Sequence, residues 1–257
     1  MVTKTVNMTS DSLIPPDELL IDGPRSRQEF IDGGPGFLCN VLVPRTALQP
    51  HHAVLDIGSG NGRHARVLTE YLNSQGSYRG FDIVRNIVEW CQERYAPFPN
   101  FRFDFANVRS DWYNPDALIS PETYTFPYSN EQFDIAYATS LFTHLEPDAT
   151  TNYLRECARV LKPGGRLLVT SFLVNVYNSG KNTVQTVQGL KFKRLSPVHH
   201  VIDPEHRSRG VAYDESAFRK MISDTGLVVS ELTFGTWANG VDVLSAVQDM
   251  VLSVKPY

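Results

Sequence analysis

Cysteine is scarce in this 257-residue chain, and the sequence lacks both long apolar runs and a strong excess of one charge sign. The three cysteines, Cys39, Cys91 and Cys157, are too few and too scattered for a disulfide framework or a zinc knuckle. A reduced, cytoplasmic compartment is therefore the expected location. No segment approaches the ~20 consecutive apolar residues of a membrane span, and residues 1–11 lack the apolar stretch of a secretory signal.

The charge balance is close to neutral. Lys and Arg number 24 and Asp and Glu number 28, which gives a formal net charge of −4 at pH 7 with histidine neutral. Proteins dedicated to nucleic acid or to anionic membranes normally carry a basic excess, so we expect neither partner here. Hydrophobic residues make up 42% of the chain, enough to bury a sizeable core. The composition leaves the oligomeric state open.

Short apolar segments alternate with segments of helical spacing. The predicted strands are Ala53–Ile57, Tyr78–Asp82, Phe101–Phe105, Phe133–Ala138, Arg166–Phe172, Leu227–Phe234 and Gln248–Lys255. The predicted helices are Phe37–Leu48, Arg63–Leu72, Arg85–Tyr95, Thr150–Leu161 and Asp214–Thr225. Such alternation is typical of an α/β fold, in which helices cover both faces of a mostly parallel sheet. Such sheets bind ligands at the carboxyl ends of their strands.

Several segments fall outside this alternation. Residues 1–30 are polar and are expected to form an arm or lid ahead of a main domain at 31–257. The Gly-Gly-Pro-Gly run at 33–36 is expected to act as a hinge for this lid. The long irregular loop at 106–131 has the length of a functional loop. Residues 174–213 are interpreted as an insertion that covers the ligand edge of the sheet and forms an acceptor pocket.

The strongest motif is a glycine-rich loop directly after the first predicted strand. Gly58, Gly60 and Gly62 alternate there, and without side chains they allow a tight turn and a close approach to a ligand. Asp56 precedes them by two residues, where a carboxylate repels a pyrophosphate but suits a cationic cofactor. Asp82 ends the next strand, where nucleotide-binding folds hold ribose hydroxyls. The alternative is a structural glycine turn with a solvated Asp82.

These motifs resemble those of the class I S-adenosylmethionine-dependent methyltransferases. Residues 56–62, DIGSGNG, match the first motif of the family, with Ser59 where many members carry cysteine. Asp82 matches the ribose-binding acid, residues 133–134 open the fourth-strand motif, and residues 159–165, RVLKPGG, match the helix and turn before the fifth strand. The resemblance implies S-adenosylmethionine as cofactor. It also implies a Rossmann-like, doubly wound sheet of seven strands, mostly parallel, with one antiparallel edge strand.

The resemblance also assigns residues to the cofactor site. Phe105, Ala106 and Asn107 are expected to hold the adenine, and Thr139 and Ser140 to line the methionine end. The complete set of expected cofactor contacts is Asp56, Gly58, Ser59, Gly60, Gly62, Asp82, Ile83, Phe105, Ala106, Asn107, Thr139 and Ser140.

His144 is the candidate general base. A hydroxyl acceptor must lose a proton during methylation, and histidine suits that task because its neutral form is available near pH 7. The residue lies ten positions after Asp134, in the segment that follows the fourth strand, and so belongs to the ligand edge. The alternative is that His144 packs against or caps the next helix.

Three further histidines cluster in the insertion. His199, His200 and His206 are candidates for binding or deprotonating the acceptor, with His199 and His200 taken as catalytic. Together with Asp203 and Glu205 they could hold a divalent ion, but their irregular spacing is unlike that of known metal sites, and no metal is predicted. A polar surface loop is the alternative.

Aromatic residues are frequent in the long loop. They could form a stacking platform for the acceptor or simply pack the loop onto the domain. They are Trp112, Tyr113, Tyr124, Phe126 and Tyr128.

The predicted function is transfer of a methyl group from S-adenosylmethionine to a small-molecule acceptor by in-line displacement. Resemblance of residues 113–115 and 142–145 to methyltransferases of glycan and secondary metabolism favours O-methylation of a carbohydrate or natural product. A nicotinamide-dependent oxidoreductase is a second hypothesis, which Asp56 and the G-x-G-x-G spacing disfavour. A non-catalytic module that keeps the fold is the third.

Overall fold

The computed structural model describes residues 10–21, 23–24, 26–175, 183–186, 189–237 and 248–257. The strands are β1 Ala53–Ile57, β2 Ser77–Asp82, β3 Phe101–Phe105, β4 Phe133–Ala138, β5 Leu161–Val174, β6 Thr183–Gln185, β7 Lys191–Arg194, β8 His199–Val201, β9 Val211–Asp214, β10 Val228–Thr233 and β11 Asp249–Val254. The α-helices are α1 Arg27–Phe37, α2 Val43–Thr46, α3 Arg63–Tyr71, α4 Arg85–Tyr95, α5 Pro147–Val160 and α6 Glu215–Ser223, with a π-helical turn at Leu38–Leu42. Across these ranges no helix combines the length and the apolar character that crossing a bilayer requires.

The centre of the molecule is a parallel sheet with the strand order β3-β2-β1-β4-β5. The order of the strands reverses between β1 and β4, which is where α/β sheets of this kind form a ligand crevice. β11 then pairs antiparallel with both β5 and β10. The α/β class is confirmed. The antiparallel strand was predicted to lie at the edge of the sheet. It is β11, and it lies one position inside the edge because β10 pairs on its outer side.

The insertion extends this sheet instead of only covering it. The last three residues of β5 pair in parallel with β9, and β8, β7 and β6 follow in antiparallel pairs. The described strands therefore number eleven, not seven. The predicted turn at 162–165 is a bulge within β5, since Phe133 lies opposite Leu161 while Ile135 lies opposite Arg166. Residues 176–182 and 187–188 of the insertion lie outside the described ranges.

Both faces of the sheet are buried, because successive strand residues point to opposite sides. Leu55 and Ile57 of β1 pack on the face that α5 and α6 cover. Val54 packs on the other face with α3, α4 and the π-helical turn. The loops at the strand ends therefore project from a rigid layer.

The glycine-rich run at 33–36 lies inside α1, so the prediction of a hinge was wrong. A Cβ atom at Gly34 would lie 2.9 Å from the carbonyl oxygen of Arg63 and 3.1 Å from Cγ1 of Val67. Glycine at this position allows α1 to pack directly on the backbone of α3. The run therefore serves a close contact between two helices.

Pro35 also lies inside α1, and its missing N–H leaves one helical carbonyl without its usual partner. That carbonyl belongs to Ile31, and it accepts a hydrogen bond from Nη2 of Arg66 at 2.8 Å. The first helix was predicted to begin at Phe37 but begins at Arg27. The predicted boundary between an arm at 1–30 and the main domain thus falls within α1.

Candidate active site

A cavity of about 610 Å³ lies at the carboxyl ends of β1, β2 and β4. Most of its wall comes from the loops after these strands, the long loop, the N-terminal segment and the insertion, and Phe172 of β5 and Gln248 just before β11 also contribute. The wall residues include Gly58, Ser59, Gly60, Arg63, His64, Asp82, Ile83, Val108, Arg109, Tyr113, Thr139, Ser140, His144, Glu146, Ser208, Arg209 and Gln248. The cavity occupies the edge at which the sequence predicted ligand binding.

The glycine-rich loop forms one side of the cavity. Gly58, Gly60 and Gly62 have positive φ angles of 75°, 50° and 76°, which favour glycine. The backbone N–H groups of Gly58 and Ser59 both donate to the carbonyl oxygen of Phe81 at 3.0 Å, so the loop is fixed on β2. A Cβ atom at Gly60 would meet no atom within 4 Å, which shows that the loop backbone faces open space.

Gly62, a predicted cofactor contact, lies behind the loop and not on the cavity wall. A Cβ atom there would lie 3.1 Å from the hydroxyl of Tyr95, and this hydroxyl donates to the carbonyl of Gly62 at 3.0 Å. The residue therefore opens α3 and allows α4 to pack closely against it.

Asp56 also lies behind the loop, which corrects its predicted contact with the cofactor. Its side chain is buried, and Oδ2 accepts hydrogen bonds from the hydroxyls of Tyr78 and Tyr137, each at 2.8 Å. Burial raises the pKa of Asp56 to about 7, although the two hydroxyl donors act in the opposite direction. Asp56 therefore ties β1 to β2 and β4 from within the sheet.

Asp82 lies on the cavity wall at the end of β2. Its carboxylate accepts hydrogen bonds from the N–H of Gly60 at 2.8 Å and from the N–H of Val84 at 3.0 Å. These bonds hold the carboxylate beside the glycine loop, and Ile83 continues the wall next to it. Nucleotide-binding α/β folds hold ribose hydroxyls at the corresponding strand end.

The three residues predicted to hold adenine lie away from the wall. Phe105 packs under the guanidinium of Arg85, which is 4.0 Å from the ring centroid. Ala106 is buried in the core, and Asn107 is exposed. After β3, the first residue on the cavity wall is Val108, and the wall continues through residue 111. The predicted contacts come too early in the chain because Phe105 still belongs to β3 and Ala106, whose N–H donates to the carbonyl of Asp82, is buried directly after it.

Thr139 and Ser140, which were predicted to line the methionine end of the cofactor, directly follow β4 and lie on the cavity wall. Ser140 has a φ of 61°, a left-handed conformation that is uncommon for a residue other than glycine. Its N–H donates to Oγ1 of Thr170 at 2.7 Å, and its Oγ accepts from Nε2 of Gln248 at 3.0 Å. The hydroxyl of Thr170 donates to Oε1 of Gln248 at 2.6 Å, which closes the network around the strained turn.

His144 lies on the wall, and its tautomer is fixed by the insertion. Nδ1 is 2.8 Å from the carbonyl oxygen of Ser208. A carbonyl oxygen only accepts, so Nδ1 carries the proton and Nε2 is the accepting nitrogen of the neutral ring. The ring of Tyr113, also on the wall, meets that of His144 edge-on with centroids 5.5 Å apart.

His64 is a wall residue that the sequence analysis missed. Its ring stacks on Phe37 with centroids 4.0 Å apart and lies 5.8 Å from the ring of Tyr137. Burial, with a smaller contribution from Arg63, holds the pKa of His64 well below its ordinary value of 6.5. The signal that could have identified it is its place in the first turn of α3, directly after the glycine loop.

His199 and His200 do not reach the cavity, which corrects their assignment as catalytic residues. Nε2 of His200 lies 3.3 Å from Asp214, which also accepts two hydrogen bonds from Arg194 at 2.9 and 3.0 Å. Nδ1 of His199 lies 2.7 Å from the hydroxyl of Ser196. Burial lowers the pKa of both histidines. They pack the interior of the insertion because β8 is covered on both faces.

The other candidates separate into surface and core residues. His206 lies 3.3 Å from Asp203 outside the cavity. In the described ranges no three His, Cys, Asp or Glu side chains group in a way that could hold a metal ion. Trp112 is half exposed and lies 5.0 Å from the guanidinium of Arg209. The remaining loop aromatics pack in the core: Tyr124, Phe126 and Tyr128.

Known proteins resemble part of this chain. A family model described as "Methyltransferase domain" matches residues 54–165. The arsenite methyltransferase of Aquipseudomonas alcaligenes is 33% identical over 129 residues, which are 50% of this chain and 34% of that protein. Methyltransferase GfsG of Streptomyces halstedii is 30% identical over 133 residues, 52% of this chain and 42% of that protein. The match thus spans less than half the length of each of these curated relatives.

A solved structure extends the likeness of fold to nearly the whole chain. A SAM-dependent methyltransferase from Aquifex aeolicus superposes with a TM-score of 0.52 and 17% identity, over 96% of both chains. The glycine loop, Asp82 and the fourth-strand segment all lie within the stretch that the family model matches. Residues 54–165 therefore match a methyltransferase domain, and the chain shares its fold with a SAM-dependent methyltransferase.

Proposed function

We propose that this protein transfers a methyl group from S-adenosylmethionine to a hydroxyl group of a small-molecule acceptor, either a carbohydrate or another natural product. The observation that carries the proposal is the placement of His144. It shares one cavity with the glycine loop and Asp82, and its hydrogen bond to Ser208 makes Nε2 the proton acceptor of the neutral ring.

The residues of the cavity fit this cofactor. The open space at Gly60 suits close approach of a nucleoside, and Asp82 is placed to hold the ribose hydroxyls. Ile83 and Val108 provide apolar walls for the adenine ring. When bound, the cofactor supplies an electrophilic methyl group on a sulfonium centre.

Arg63 is suited to the carboxylate of the amino-acid end of the cofactor. Its side chain lies on the cavity wall beside Gly23 and Gly33, where an added Cβ would come within 3.6 and 3.4 Å of its guanidinium. The guanidinium forms no ion pair with any residue of the described ranges. Burial lowers the pKa of Arg63 while the charge of Asp56 acts in the opposite direction, so a counter-charge lies nearby but not in direct contact. A buried guanidinium without a direct carboxylate partner favours an anionic ligand.

The acceptor would lie between His144 and the insertion. Phe172, Leu190 and Ile202 supply apolar surface there, while Tyr113 and His144 supply polar groups. In this arrangement Nε2 of His144 takes the hydroxyl proton as the acceptor oxygen becomes nucleophilic. The resulting imidazolium then releases that proton to water.

The chemistry of the wall favours an oxygen acceptor over a soft one. Arsenite is the acceptor that one relative's name states. Soft centres of that kind favour thiolate ligands. Among the wall residues that the structure describes there is no cysteine: Cys39 is exposed elsewhere, and Cys91 and Cys157 are buried in the core.

Calorimetry combined with a labelled-methyl assay tests the proposal. We expect S-adenosylhomocysteine to bind and NAD not to bind. We also expect methyl transfer to members of a hydroxyl-bearing panel of sugars and phenols, and not to matched amines or thiols. His144→Gln should lower kcat by about a hundredfold or more while the cofactor still binds. The control is His206→Gln, which alters a histidine outside the cavity and should leave kcat unchanged. Binding of NAD alone, or full activity of His144→Gln, would contradict the proposal.

A further inference from the structure

A single turn of 3₁₀ helix in the insertion, Arg207–Arg209, is docked onto the segment that carries His144. Besides the 2.8 Å contact between the carbonyl of Ser208 and Nδ1 of His144, two further contacts join the segments. Nη1 of Arg207 lies 3.1 Å from Oε2 of Glu146. The N–H of Val211 donates to the carbonyl of Thr143 at 2.7 Å. The contacts occur on both sides of His144 in the sequence.

Backbone contacts fix the internal shape of the turn. The N–H of Arg209 bonds to the carbonyl of His206 at 3.0 Å, and the carbonyl of Gly210 accepts from the N–H of Ile202 at 2.9 Å. A Cβ atom at Gly210 would lie 2.2 Å from Cδ1 of Ile202, so this end of the turn lies directly against the residue that follows β8. Backbone contacts within the insertion thus orient the Ser208 carbonyl within the turn, while the approach of the turn to His144 depends on the contacts between the two segments.

The ion pair between Arg207 and Glu146 differs from these backbone contacts. Both side chains are substantially exposed, at 48% and 35% of their surface. Exposed pairs of this kind contribute little to stability, so the fold does not depend on this one. Glu146 follows His144 by two residues, and the pair therefore restrains the His144 segment relative to the turn.

We propose that Arg207 is a positioning residue for His144: through its ion pair with Glu146 it keeps the Ser208 carbonyl on Nδ1, which holds the proton there and makes Nε2 the acceptor for the hydroxyl proton. The inference rests on the proposed function for its catalytic consequence only. A neutral histidine that loses such a partner returns to the mixture of tautomers that it has in water, and only one of these tautomers has Nε2 as the base. The insertion thus contributes to catalysis by setting the tautomer of His144, which lies outside it.

The tautomer of His144 is directly measurable. In protein with ¹⁵N-labelled histidine rings, the nitrogen chemical shifts distinguish the two neutral tautomers, and His144→Gln assigns the signal. The ring nitrogen shifts are first followed against pH, and the variants are then compared at a pH at which the ring is neutral. We expect the Nδ1–H tautomer in the wild type and in Arg207→Lys, and a mixture in Arg207→Ala. Arg219→Ala removes an exposed pair with Glu215 on α6, 2.8 Å long, and as the control should match the wild type.

The kinetic consequence follows the same order. In Arg207→Ala, kcat should fall about tenfold while the dissociation constant for S-adenosylhomocysteine keeps its wild-type value. Arg207→Lys should recover most of the loss. A wild-type His144 in the Nε2–H form, or an Arg207→Ala variant with wild-type tautomer and kcat, would overturn the inference.

Two further outcomes remain decisive. If circular dichroism shows that Arg207→Ala is unfolded, Glu146→Gln removes the same ion pair from the other side and is compared in the same way. If the wild type transfers no methyl group to any hydroxyl acceptor, the proposed function fails. The tautomer spectra still decide whether Arg207 positions His144.

Discussion

The buried carboxylate of Asp56 links three strands through hydrogen bonds. Tyr78 of β2 and Tyr137 of β4 both donate to one of its oxygens, while Oδ1 has no hydrogen-bond partner in the described structure. An ionised carboxylate in this environment is costly, which is why the pKa of Asp56 rises to about 7. The side chain of Asp56 therefore changes charge near neutral pH.

Asp56→Asn should remove a pH dependence of stability. The folded pKa of about 7 lies above the unfolded value of 3.8, so folding favours the protonated form. This contribution is complete below the unfolded pKa and is lost as pH rises through the folded one, by up to about 1.4 kcal/mol per pH unit. Urea unfolding at pH 5 and pH 8 should show the Asn variant gaining stability relative to the wild type at the higher pH. Asp148→Asn, at an exposed position, is the control, and parallel profiles for Asp56→Asn and the wild type would refute the expectation.

Arg63→Met should weaken binding of one part of the cofactor only. If the guanidinium holds the amino-acid carboxylate, the variant loses affinity for S-adenosylhomocysteine by about tenfold or more, since a charge-assisted hydrogen bond is removed. Its affinity for 5′-methylthioadenosine, which has the nucleoside but no carboxylate, should stay unchanged. Calorimetry with both ligands provides the comparison. An equal loss for both ligands would mean that Arg63 supports the pocket and not the carboxylate.

The residues of the site were predictable where local sequence determines position. Gly58 follows one strand and Asp82 ends the next, and the ends of both are marked by the change from apolar to polar residues. His144 lies in the segment after another such strand. His64 and Gln248 were missed because they reach the cavity through helix and sheet packing. His200 shows the opposite failure: it has suitable chemistry, but the pairing of β8 turns it into the interior. Short-range patterns do not carry that information.

At the scale of elements, the contact between α1 and α3 depends on a single glycine. Gly34→Ala should destabilise the protein by about 1–3 kcal/mol, because the new Cβ meets the backbone of Arg63 at 2.9 Å and one helix must shift. Gly36→Ala is the matched control in the same helix. A Cβ atom there meets nothing within 4 Å, so the substitution should stabilise the helix by about 0.5–1 kcal/mol. Thermal and urea unfolding measure both changes, and equal effects of the two substitutions would show that the contact does not restrain α1.

The central elements were predicted well and the insertion was not, for a physical reason. β1, β3, β4 and α4 have the predicted bounds, because short apolar strands and an amphipathic helix leave clear signals in the sequence. β6 to β9 have only three or four residues each, too few for any period to show. Their pairing depends on β5 continuing to Val174, two residues beyond its predicted end at Phe172, which no local pattern indicates.

At the scale of the whole molecule, the cavity is bounded by parts that are far apart in the chain. The central domain supplies the glycine loop and the His144 segment, the insertion supplies Ser208 and Arg209, and the N-terminal segment supplies Ile21. Family-level likeness covers only the central part, at 54–165. Acceptor choice is therefore expected to depend on the outer parts, which the likeness in sequence does not include.

The N-terminal segment is expected to respond to the cofactor as a lid. Leu13 and Leu19 are buried, and the carbonyl of Leu19 accepts from Nδ2 of Asn61 at 3.1 Å, which ties the segment to the glycine loop. Ile21 then reaches the cavity wall. A ligand held against the glycine loop would contact both sides of this junction, so binding should stabilise it.

Hydrogen exchange measured by mass spectrometry tests this lid in the intact protein. With saturating S-adenosylhomocysteine, peptides that span residues 10–24 should exchange more slowly, by about tenfold or more for the slowest amides. Peptides from α6 lie away from the cavity and provide the control, with no change expected. Asn61→Ala removes the tie to Leu19, so its N-terminal peptides should exchange faster than those of the wild type before ligand is added. Identical exchange of residues 10–24 with and without ligand, in a protein that calorimetry shows to bind it, would mean that this segment is a fixed wall and that acceptor entry must occur past the insertion.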